Sequence, residues 1–138
     1  MNTTIIALSG YILWTIILLV LIATYRTLLV AKQERKANEF KADGSDSPSF
    51  GQRLTRAQSN CAESFVFTGG VMLLALATNS SVITDPLALW LLAARIGQST
   101  VHILSTSVLA VQIRFTLFVV QVVISGFWLF MLMTKFID

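Results

Sequence analysis

The chain has 138 residues, the length of one domain, of which 55% are hydrophobic and only 12% charged. Soluble domains carry about 25% charged residues, and at a mean hydropathy of +0.75 the apolar surplus exceeds what so small a core can bury, leaving lipid as the solvent. A net charge of +3, gathered mostly in one stretch, argues against a nucleic-acid partner; one cysteine and one histidine exclude an intrachain disulfide and a Cys/His zinc site.

In chain order, residues 1–25 carry no side chain ionised at neutral pH, and 5–23 are almost wholly apolar. This run lacks a basic leading segment and outlasts the apolar core of about 7–15 residues typical of a signal peptide. It therefore reads as a retained first helix, about residues 5–30. Residues 31–52 are the one hydrophilic segment, and Asp43-Gly44-Ser45-Asp46-Ser47-Pro48 within it reads as a loop. Ser49-Phe50-Gly51-Gln52 fits a capping box, with Ser47-Pro48 a second candidate start, for a helix whose span covers about 53–79. Thr84-Asp85-Pro86 sets a capping residue before a proline at the first helical position, so the third helix is expected to start there and span about 86–107. A fourth run spans about 113–136. Each has roughly the 20 residues that a helix rising ~1.5 Å per residue needs to cross ~30 Å of hydrocarbon. Inside lipid the backbone must be satisfied within each segment, so the runs are helices, and the alternation of a membrane barrel is absent. The expected fold is an all-α membrane protein, one four-transmembrane-helix domain over 1–138.

Arg26, Lys32, Arg35, Lys36, Lys41, Arg53 and Arg56 lie in or beside the hydrophilic loop, and Arg114 falls on the same side at the helix 3–4 connection. The opposite side has only Lys135. The positive-inside rule then places the long loop in the cytoplasm and both termini outside.

Polar residues within the spans are costly, about 2.5–3.5 kcal/mol for a charge at a helix centre, and default to functional hypotheses. On helix 2, Arg53, Arg56, Asn60 and Glu63 follow i, i+3, i+7, i+10, one helical face. A solvated helix start explains the two arginines but fits Asn60 and Glu63, further inward, less well. On helix 3, Arg95, Gln98 and His102 again share a face. Counted from Pro86, Arg95 lies ~14 Å deep, and it needs an anionic or carbonyl partner. Glu63 is the only carboxylate within a span, across a depth gap of ~10 Å that two extended side chains, or a bound anion, would bridge. His102 alone reads as a packed histidine; its alignment with Arg95 favours a site. Arg114 alone reads as an interfacial anchor, with Gln121 and Ser125 continuing its face as an interhelical contact. Cys61, about 100° off the helix 2 stripe, reads as a small buried residue, and Gly69-Gly70 as a point of close helix approach.

Arg56-Ala57-Gln58-Ser59-Asn60-Cys61-Ala62-Glu63-Ser64-Phe65 closely resembles a signature of the MAPEG family, membrane-associated proteins of eicosanoid and glutathione metabolism. Its Arg-Ala-Gln-x-Asn-Cys-x-Glu run looks most like the leukotriene-C synthase version. Ala94-Arg95, His102 and Ile113-Arg114-Phe115-Thr116 are similar to the bacterial branch, which implies a bacterial inner membrane. The resemblance covers helices 2 to 4 and the four-span layout. It implies a homotrimer with glutathione as co-substrate between neighbouring subunits near the cytoplasmic side, and no metal. Arg56, Asn60 and Glu63 would hold the polar ends of glutathione, joined by Arg95, with Gln98 and His102 beside them. Gln58 would reach a site shared with the adjacent subunit, and Lys32 and Arg35 would approach the peptide carboxylates. Arg114 matches the arginine that faces the thiol. Where several members have tyrosines this chain has Ser64, Gln98 and His102, and its segment from His102 to Arg114 is longer than in the eicosanoid synthases.

The chemistry this implies is coherent. A free thiol with pKa near 8.5 is only a few per cent thiolate at pH 7, and an adjacent guanidinium in a low-dielectric site lowers that pKa by about one or two units. The thiolate would attack a hydrophobic small-molecule acceptor arriving from the bilayer, in a glutathione transferase or glutathione-dependent peroxidase reaction. Two alternatives stand beside it. One is a small four-span transporter using Glu63 for coupling, although arginines outnumber the carboxylate within the spans. The other is a non-catalytic module that binds glutathione or a lipid anion.

Overall fold

The apolar runs become four helices in a computed structural model of the protein, which describes residues 2–32 and 49–137. They are α1 (Thr3–Ala31), α2 (Ser49–Ala77), α3 (Ser81–Leu104) and α4 (Val108–Ile137), each long and apolar enough to cross a membrane. The fold is an all-α four-helix membrane bundle. Ser47-Pro48 and Arg35 lie outside the described residues, and Ser49 is already helical.

Position within the bundle follows from composition. α2 and α3 are the least apolar spans, and each packs against all three other helices, whereas the backbones of α1 and α4 do not approach closely among the described residues. Tyr11, Leu18, Cys61, Met72, Leu91 and Trp128 are buried in the shared core. Outward-facing residues such as Val66, Trp90, Leu109 and Phe130 remain exposed, as side chains solvated by acyl chains would be. Close approach occurs at Gly10, where a Cβ would come within 2.7 Å of the Leu92 side chain across the α1–α3 contact. The expected close approach at Gly69-Gly70 is not seen among the described residues. The space over Gly69 is filled by the ring of Phe65 from the same helix, which packs edge-on to Tyr11 at 5.4 Å, and a Cβ on Gly70 would meet nothing within 4 Å.

Two helix ends depart from expectation for identifiable reasons. α2 closes in a Schellman arrangement: the Ser80 amide donates to the Ala75 carbonyl at 2.7 Å and the Asn79 amide to Leu76 at 3.3 Å, with Asn79 left-handed at φ 54°. The chain therefore turns early, and α3 begins at Ser81 rather than at Pro86, which sits inside the helix. Asp85 does act as a cap, but for another helix. Its carboxylate accepts from the Thr4 amide at 3.0 Å and the Thr4 hydroxyl at 2.6 Å, serving the orphan amides and positive dipole end of α1. Asn2 caps the same turn through the Ile5 amide. At the other end of the bundle α4 starts at Val108, so Arg114 lies six residues inside the helix, ~9 Å along it, rather than at its first turn.

Candidate functional site

The loop-side end of the bundle, where α2 and α4 begin and α3 ends, holds a cleft of about 300 Å³. Arg53 and Arg56 from α2, His102 from α3 and Arg114 from α4 line it, with Ser49, Gln52, Thr106 and Val111 completing the walls. Three guanidinium groups thus meet one cavity, and among the described residues no carboxylate lines it. Arg53 is committed within the fold: its Nε donates to the Ile103 carbonyl at 2.7 Å, satisfying the end of α3, and its Nη1 to Ser49 Oγ at 2.6 Å. Arg56 is exposed. Arg114 is half-buried, and its Nε is enclosed without a hydrogen-bond partner. A half-buried cation with an unsatisfied donor is costly unless something accepts from it.

One turn deeper lies a second polar group, between the helices. Arg95, completely buried, donates from Nε to Gln121 Oε1 at 2.8 Å and from Nη1 to Asn60 Oδ1 at 2.7 Å. Gln121 Nε2 donates to Gln98 Oε1 at 2.8 Å and to the Leu117 carbonyl at 3.0 Å, and Gln98 Nε2 donates to Asn60 Oδ1 at 3.2 Å. The Arg95 guanidinium also lies 5.8 Å from the centroid of the Tyr11 ring on α1. Tyr11 in turn donates to the Cys61 carbonyl at 2.7 Å, and Cys61 Sγ lies 3.2 Å from Thr15 Oγ1, buried between α1 and α2.

Arg95 does not pair with Glu63, although depth permits it. Because α3 begins at Ser81, Arg95 and Glu63 both lie ~21 Å from the α2–α3 turn, and the anticipated depth gap vanishes. Angle separates them. At about 100° per residue Arg53 projects within about 20° of Asn60, while Arg56 and Glu63 are rotated about 40° and 60° the other way. The single stripe read from the sequence is therefore two: Arg53 and Asn60 turn toward α3, and Arg56 and Glu63 are exposed, Arg56 at the mouth of the cleft.

The structure thus brings Arg56, His102 and Arg114 together in the cleft and joins Asn60, Arg95 and Gln98 in the buried group. Gln58 is half-buried on the side of α2 away from Asn60, and Lys32 is exposed at the end of α1, not in the cleft lining. Two participants were absent from the residues singled out by resemblance. Arg53 was signalled by its place on the helix 2 stripe, and Gln121 by its spacing of seven from Arg114. Among the described residues no group of three or more His, Cys, Asp or Glu side chains could hold a metal ion.

No curated protein and no solved structure matches the chain. The model of the MAPEG family does, over residues 4–134. With four spanning helices and nearly the whole chain matched, the protein belongs to the MAPEG family and is a membrane protein of glutathione-related or eicosanoid metabolism.

Proposed function

We infer that the protein is a glutathione transferase or glutathione-dependent peroxidase acting on lipophilic acceptors. The observation that carries this reading is the convergence of Arg53, Arg56 and Arg114 with His102 on one cleft, with no carboxylate in its lining among the described residues. Such a cavity suits an anionic guest, and family membership supplies glutathione, a tripeptide with two carboxylates and a thiol, as the fitting one. Arg56 pairs with a carboxylate of the peptide, as an exposed guanidinium at the cleft mouth is free to do. Arg114, with its enclosed and unsatisfied Nε, stabilises the thiolate. Lowering the thiol pKa by one or two units raises the thiolate from a few per cent to roughly a quarter to three quarters at pH 7.

In the transferase reaction the sulfur electron pair forms a bond to an electrophilic carbon, and the leaving group departs with its own pair or the adduct takes up a proton. In the peroxidase reaction the thiolate attacks the outer oxygen of a hydroperoxide and the O–O bond breaks. The alkoxide takes a proton to become an alcohol, and a second glutathione converts the sulfenic acid to disulfide and water. The exposed Arg56 and Glu63, with Gln58, fit a site completed by a second copy of the chain in a homotrimer. The loop end then faces the cytoplasm of a bacterial inner membrane, and the termini lie outside.

Purified protein in detergent tests this. Adding glutathione to the parent produces thiolate absorbance near 240 nm and turnover with hydrophobic electrophiles or lipid hydroperoxides, and Arg114→Ala loses most of both. Conjugation unchanged in Arg114→Ala removes the assigned role. Binding without thiolate or turnover leaves a non-catalytic binder, and no glutathione binding at all favours a carrier. Subunit stoichiometry measured in parallel decides the trimer.

A further inference from the structure

The buried polar group contains three carboxamides, each able to present either oxygen or nitrogen in a given direction, and one guanidinium, which can only donate. That asymmetry determines the whole arrangement. Arg95 Nε demands an oxygen from Gln121, so Gln121 turns its NH2 toward Gln98. Gln98 must answer with its oxygen and turns its own NH2 toward Asn60. Asn60 must then offer Oδ1, which Arg95 Nη1 demands independently from the other side. The ring closes without conflict, and reversing any one amide sets two donors or two acceptors face to face. Asn60 Oδ1, with two donors, has both lone pairs occupied. Its Nδ2 makes no side-chain hydrogen bond among the described residues, and Asn60 is only half-buried, one turn beyond Arg56 on α2.

The geometry points to Arg95 and Gln121 as positioning residues that hold Asn60 with its oxygen inward and its NH2 outward, so that Asn60 meets the bound peptide solely as a hydrogen-bond donor. It follows that the group Asn60 recognises is a carbonyl or carboxylate oxygen. Arg95 is sealed within the bundle, its Nε and Nη1 engaged by Gln121 and Asn60 and its buried Nη2 without a partner, and it acts through Asn60. This inference rests on the reading of glutathione as the guest.

The test uses full-length protein in detergent, with Kd for glutathione from titration calorimetry, KM and kcat with an electrophile, and spectra of 15N-asparagine side-chain amides. Gln121→Glu keeps an acceptor for Arg95 but sets a second acceptor against Gln98 Oε1, which forces Gln98 to flip an oxygen toward Asn60. Gln121→Met removes both functions. Both variants raise KM for glutathione about three- to tenfold while kcat at saturation stays within about twofold, the loss expected for one misdirected hydrogen bond. In Gln121→Glu the Asn60 NH2 resonances, identified by their absence in Asn60→Asp, shift before any ligand is added. Asn60→Asp still accepts from Arg95 yet presents oxygen outward, and it weakens glutathione binding about tenfold or more without lowering the thermal midpoint. A purely structural role for Gln121 would instead lower the active fraction, and so kcat, at unchanged KM. An unchanged KM in both Gln121 variants, or parental glutathione affinity in Asn60→Asp, overturns the proposal; the Asn60→Asp result decides if the Gln121 variants do not fold. If the parent binds no glutathione, the identity of the guest falls, and the orientation is judged from the ligand-free spectra. Unmoved Asn60 resonances in Gln121→Glu then overturn it, and shifted ones uphold it.

Discussion

The two ends of the bundle handle polar groups in opposite ways. At the α2–α3 turn, Thr4, Thr84, Asp85 and Ser80 are all partnered within the chain, the last receiving Lys135 Nζ at 2.9 Å. Its carboxylate, Asp85, is spent on the first turn of α1. At the loop end, Arg56, His102 and Arg114 face a common cavity, and neither Arg56 nor Arg114 has a hydrogen-bond or ion-pair partner among the described residues. A fold optimised only for stability would not gather like charges there, because each repels the others and loses hydration on entering the bundle. The polar groups that tie the α2–α3 turn to α1 and α4 are satisfied internally. Those that serve a guest are left for it to satisfy.

That contrast can be broken by substitutions that separate binding from stability. The largest effect is expected from Arg56→Ala, which removes a charge-assisted contact and weakens glutathione binding about thirtyfold. Its thermal midpoint stays level or rises slightly, because one of several like charges is gone. Asp85→Ala should do the reverse. It strips the acceptor from the Thr4 amide and hydroxyl and costs about 2 kcal/mol of stability, while glutathione affinity stays within about twofold. Asp85→Asn retains a carbonyl oxygen for the amide and recovers more than half of the loss. Calorimetric affinity and thermal unfolding of the same preparations decide both. Equal destabilisation by Arg56→Ala and Asp85→Ala would mean that the cleft arginines are structural and that the two ends do not differ in kind.

The helices were legible in the sequence because lipid imposes a length and a composition that leave few alternatives. The Arg56–Asn60–Glu63 spacing was legible as a polar stripe for the same reason. What the sequence concealed were pairings that depend on register between helices. Asp85 looks like a local cap, and its true partner, Thr4, lies at the far end of the chain, on α1. Glu63 and Asn60 differ by about 60° around α2, small on a helical wheel yet enough to send one outward and the other to Arg95. Gln121 could be placed on the face of Arg114 by its spacing, but its meeting with Arg95 and Gln98 depends on how far α4 slides along α3. Start signals were the least dependable, because Asn79 closes α2 and launches α3 before Pro86 is reached.

Asn79 also supplies the smallest test of the contrast. It is exposed, and its φ of 54° lies in the left-handed region, where a Cβ costs roughly 1 kcal/mol and asparagine is better tolerated than alanine. Asn79→Ala is therefore expected to lose about 1 kcal/mol through backbone strain alone, since no side-chain hydrogen bond of Asn79 ties the turn together among the described residues. Asn79→Gly removes that strain but gives the unfolded chain more freedom, so the two effects offset to within a few tenths of a kcal/mol. Neither change reaches the loop-end cleft, so KM for glutathione should match the parent in both. A measurable KM change in Asn79→Ala would show that the register set at the turn is transmitted along α3 to His102, and that the two ends are coupled rather than independent.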